Sequence, residues 1–90
     1  MVTVTERAKE RLKVLLTARF EDPQIGLRLE RAPTGEFGVF PDRERTDDQV
    51  VKHGEAVVLL VGQEVAPNVD RATIDYEESG PTPRLVIKRS

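Results

Sequence analysis

Cysteine is absent from the chain, which excludes disulfides, thiolate catalysis and cysteine-ligated metal centres. Histidine occurs once, as His53 beside Gly54 in a turn-like stretch. A lone histidine without cysteine partners cannot build an ordinary structural zinc site, so it reads as a surface residue. Serine is confined to Ser79, in a Gly-Pro turn, and to Ser90. Neither stands in a recognisable nucleophile elbow, which argues against a Ser-His-Asp triad. No uninterrupted apolar run approaches the ~18 residues of a membrane span. The first residues also lack the basic-then-apolar pattern of a secretory signal, and the expectation is a cytoplasmic protein. The formal charge of −2 at pH 7 argues against nucleic-acid binding, which needs a basic surface.

What is present is the composition of an ordinary folded protein, 38% hydrophobic and 33% charged, enough for one domain over residues 1–90. A chain this short buries only about 60–65% of the surface its unfolded form exposes, so modest stability is expected. The stretch from Ile25 to Phe40 organises the rest. Ile25, Leu27 and Leu29 alternate with Arg28 and Glu30, the pattern of a strand with one buried face and one wet face. Pro33, Thr34 and Gly35 break that strand, and Glu36 to Phe40 resumes it until Pro41, which has no amide to give to a ladder.

Before this hairpin, Thr5 to Arg19 reads as the one long helix, with Thr5 as N-cap and Glu6 at the positive end of the dipole. Ala8, Leu12, Leu15 and Leu16 form its apolar stripe. Residues 1–4 read as a short edge strand. After the hairpin come Val50-Val51, a short strand, and Ala56 to Val61, a continuous apolar run expected at the centre of the core. Gln63 to Asp70 allows one or two helical turns before Pro67 and Asn68 interrupt them. Ala72, Ile74 and Tyr76 alternate against Thr73, Asp75 and Glu77. Ser79 to Pro83 reads as a turn, and Arg84 to Arg89 as a last strand with Leu85 and Ile87 inward. Asp75 and Glu77 are expected to pair across strands with Arg84 and Lys88. The whole predicts a small, mainly β domain of mixed sandwich or barrel-like form with one N-terminal helix.

Two stretches invite a chemical reading and fail it. A calcium loop beginning at Asp42 needs glycine at its sixth position and glutamate at its twelfth, but these are Asp47 and His53. The charged run Asp42 to Asp48 therefore reads as a solvated loop or edge. Gly35-Glu-Phe-Gly38 has neither the lysine nor the following helix of a phosphate loop.

The order of elements, and the words within them, resemble the HesB/IscA-like family of A-type iron–sulfur carriers. The opening Val2-Thr-Val-Thr-Glu-Arg-Ala leads to Gly26-Leu-Arg-Leu29, a phrase that family uses almost unchanged. Val57-Val-Leu-Leu-Val-Gly62 and Thr73-Ile-Asp-Tyr-Glu-Glu-Ser-Gly80 track its closing strands. The resemblance spans nearly the whole chain and implies the family's fold. It also implies that Gly35-Glu-Phe-Gly38 occupies the place of a Gly-Cys-Ser-Gly loop. The first cluster cysteine then falls on Glu36 and its serine neighbour on Phe37, and the chain reaches Ser90 before any Cys-Gly-Cys tail. No catalytic, cofactor-binding or metal-binding residue is carried over.

The expected function is that of a cysteine-free relative of the cluster carriers, a non-catalytic interaction module without a cofactor, meeting a protein partner or a second copy. Its candidate interaction loop is Gly35, Glu36, Phe37, Gly38 and Phe40. Strand alternation sets Phe37 with Val39 and Glu36 with Phe40, so one ring should stand on the outer face. An alternative is a weak ferrous-iron or other hard-metal binder using Glu36 with Asp42, Glu44, Asp47 or Asp48. A third is an enzyme whose site has no recognisable motif.

Overall fold

The computed structural model describes residues 2–78 and 84–89. Thr5 separates the first two elements, strand β1 (Thr3–Val4) and helix α1 (Glu6–Arg19). Its Oγ1 accepts from the amide of Ala8 at 3.2 Å, satisfying a first-turn donor the helix leaves unpaired. The same hydroxyl donates to Asp75 Oδ1 at 2.7 Å, so the cap also ties the helix to a distant strand. Ala8, Leu12 and Leu16 are buried along one stripe of α1. Leu15, expected with them, lies on the shoulder of that stripe and is 36% exposed.

The strands form two mixed sheets. In one, β2 (Ile25–Arg31), β3 (Phe37–Arg43), β4 (Gln49–His53) and β5 (Ala56–Val61) take the order β3-β2-β5-β4. β2 and β5 are parallel, and the outer pairs are antiparallel. In the other, β6 (Ala72–Glu77) lies between β1, parallel to it, and β7 (Arg84–Arg89), antiparallel. Helix α1 packs on β5 and β6, and so spans both sheets. Leu12, Leu29, Val58, Leu59, Val61, Val69 and Ile74 are fully buried, and Leu85 and Ile87 close the core from β7. The fold class expected from the alternation is the one that forms.

Both prolines expected to interrupt an element lie inside one. Pro41 sits within β3, which tolerates it because β3 is an edge strand with one side of its backbone unpaired. Pro67 sits in the first turn of α2 (Ala66–Val69), where a missing amide costs nothing. The turn expected at 79–83 lies outside the described residues.

Candidate functional site

The β2–β3 hairpin turns at residues 32–36, where the Gly35 amide donates to Ala32 O at 2.8 Å and Gly35 takes φ +92°. A side chain at that φ is strained, so glycine fits the turn. From the turn the ladder runs in register, pairing Arg31 with Phe37, Glu30 with Gly38, Leu29 with Val39 and Arg28 with Phe40. Paired residues share a face. Phe37 and Val39 therefore join Leu27 and Leu29 toward the core, while Arg28, Glu30, Gly38 and Phe40 share the outer face. Phe40 is 37% exposed there.

Arg28 is not the wet residue that alternation predicts. It is buried, because residues 43–48 fold back over the outer face and supply it with partners. Arg28 Nε donates to Asp42 Oδ2 at 2.6 Å, Nη1 and Nη2 donate to Asp48 at 2.9 and 2.7 Å, and Nη2 also donates to Arg43 O at 3.1 Å. The guanidinium hydrogen bonds hold both Asp42 and Asp48 below the usual carboxylate range. Asp48 hydrogen-bonds to Arg28 in turn, keeping the guanidinium charged. Gly62 makes room for this cluster: a Cβ there would meet Arg28 Nη1 at 3.2 Å. The charged run from Asp42 to Asp48 is thus only partly the solvated segment expected, since the Asp48 side chain is 3% exposed.

Beside this cluster is an open groove whose walls include Leu29, Phe40 and Val65, with Glu30, Asp47 and Glu64 on its rim. Phe40 is a ridge between this groove and a second shallow one lined by Glu30, Pro33 and Gly38. The candidate loop therefore divides between surfaces. Gly38 and Phe40 belong to the outer face, whereas Gly35, Glu36 and Phe37 line a depression against Leu85, Val86 and Ile87 of β7. Reading along the sequence missed Arg28, Asp47, Gly62 and Glu64 as neighbours of Phe40. The available signal was an arginine set between two leucines, a charge that must find partners if its face is covered.

A second charged cluster lies on the other sheet. Asp75 accepts from Arg7 Nη2 at 2.8 Å, from Thr5 Oγ1 and from its neighbour's amide, while Lys88 Nζ stands 3.5 Å away. Arg7, foremost, and then Thr5 hold its carboxyl far below the ordinary range. Of the expected partnership with β7, Lys88 stands beside Asp75, and Arg7 of α1 approaches closer still. His53 Nδ1 lies 3.7 Å from Glu6 Oε2, near the start of α1.

With two mixed sheets and one helix across them, the fold is that of the HesB/IscA-like proteins. Escherichia coli SufA, involved in biosynthesis of iron–sulfur clusters, is similar with a TM-score of 0.70 and 23% identity, covering 98% of this chain and 84% of that one. A protein from Aquifex aeolicus solved by solution NMR gives 0.70 at 22% identity over 99% of this chain and 91% of its own. IscA, solved with a [2Fe-2S] cluster, gives 0.61 at 14% identity over 99% and 82% of the two chains. No protein-family model matches the sequence, and no curated protein matches it.

The residues present do not fit a thiolate-held cluster. At the hairpin tip, Glu36 is an exposed hard-oxygen carboxylate, whereas cluster irons are held by soft sulfur. Nor do the loop carboxylates gather around a hard metal. Asp42 and Asp48 bind Arg28, and among the described residues no three acidic or histidine side chains converge on a metal-sized site. No described helix is long and apolar enough to cross a membrane.

Proposed function

We propose that the chain is a cysteine-free relative of the iron–sulfur cluster carriers that acts in the cytoplasm as a non-catalytic interaction module, with no cluster of its own. The observation that carries this reading is Glu36 at the hairpin tip, where the family resemblance lays a cluster cysteine, in a sequence without any thiol. The likeness to SufA and to cluster-loaded IscA supports a role beside cluster-handling proteins. The outward Phe40, set among charges, supports contact with a protein. Anaerobic incubation with ferrous iron and sulfide, then desalting, should return a colourless protein. Charge-transfer absorption that co-elutes with the chain would overturn the reading. A pull-down from the native cytoplasm then identifies the partner.

A further inference from the structure

Beside the outer face of the hairpin stand carboxylates that no described residue answers. Arg28 and Arg45 bear two positive charges, and both are answered by Asp42 and Asp48. Once that set is neutral, Glu30, Asp47 and Glu64 remain on the rim of the same groove, all exposed. The apolar feature among them is the ring of Phe40. Gly38, two residues back and on the same face, has open space where a side chain would project, so the flank of the ring is bare. An aromatic face with carboxylates around it attracts a cation twice, through the ring quadrupole and through ordinary ion pairing.

We propose that this groove is the docking surface for a basic segment of a partner protein, with an arginine or lysine side chain laid over Phe40 and neighbouring basic residues facing Glu30, Asp47 and Glu64. Three rim carboxylates call for a segment with successive positive charges rather than a single amine. Their sign turns away nucleic acid and anionic lipid surfaces. The proposal rests on the reading of the chain as an interaction module and names the chemistry of its partner.

The test is a titration of the whole protein with a fluorescein-labelled decapeptide of alternating arginine and glycine. The control replaces each arginine by uncharged citrulline. Backbone amide shifts should move at Glu30, Gly38, Phe40, Asp47 and Gly62 to Val65, the control should bind at least tenfold more weakly, and raised salt should weaken the arginine peptide. Phe40→Ala, and separately the triple variant Glu30→Gln, Asp47→Asn, Glu64→Gln, should each lower affinity roughly three- to tenfold. Phe40→Leu keeps apolar bulk without the ring and should lose affinity like Phe40→Ala. Unchanged affinity in both Phe40 variants, equal binding of the citrulline peptide, or shifts centred on another face would each overturn the proposal. Concentration-dependent shifts of the same amides without peptide would give the face to a second copy and overturn it too. A cluster in the reconstituted protein sinks the module reading whatever the peptide does, whereas lost peptide selectivity in a colourless protein sinks only the groove.

Discussion

Arg28 makes four hydrogen bonds, three of them to carboxylate oxygens, in a place nearly closed to water. Removing one member of such a cluster leaves its partner buried and uncompensated. Arg28→Ala should therefore cost about 3–5 kcal/mol in urea unfolding, while Arg45→Ala, whose guanidinium is mostly exposed, should cost less than about 1 kcal/mol. Equal costs would show that Arg28 is not held as described. The two phenylalanines of the hairpin separate in the same way. Phe37→Ala empties a site packed against the core and should cost about 2–4 kcal/mol, but Phe40→Ala should cost about 1 kcal/mol or less. If Phe40→Ala unfolds the protein, its ring is structural and the outer face offers no free aromatic. That these two rings part to opposite faces was legible in the alternation of the strand; which of them faces out was not. The burial of Arg28 was not, because alternation assigns a side chain to a face and cannot say whether another segment covers that face.

Helix α1 was the most legible element, since capping and a repeated apolar spacing act over a few residues. The structure narrows its stripe. Leu12→Ala should cost about 2–5 kcal/mol, Leu15→Ala under about 1.5 kcal/mol, and Lys13→Ala under about 0.5 kcal/mol in the same melts. A Leu15 cost equal to that of Leu12 would restore the wider stripe. The strand ends were harder to read. Proline marks a break only where its amide is needed, and the edge position of β3 and the first turn of α2 are places where it is not. Which strand lies at an edge is a property of the assembled sheet, so a single segment does not reveal it.

At the scale of the molecule, Asp42 and Asp48 under Arg28, and Asp75 between α1 and β6, hold elements together. All three are more acidic folded than unfolded. Their stabilisation is complete above the unfolded value of about 3.9 and is lost as pH falls through the folded values. Urea midpoints should stay level from about pH 7 to pH 5 and drop steeply below about pH 4, and Asp75→Asn should flatten part of that drop. A midpoint indifferent to acid would show that these contacts contribute little.

The pairing of β1 with β6 has a kinetic consequence. Thr3 stands opposite Thr73, and the hydroxyl that caps α1 is also bonded to Asp75, so an early part of the chain is completed by a late one. Closing so long a loop is entropically costly and places folding toward the slow end for a protein of this size. On the ribosome, the helix can coil as soon as it is made. The sheet beside it has no middle strand until residues 72–77 have been synthesised. Until then Val4 and Ile74 cannot meet, and the part of the apolar side of α1 that packs on β6 stays open to whatever else is in the cell.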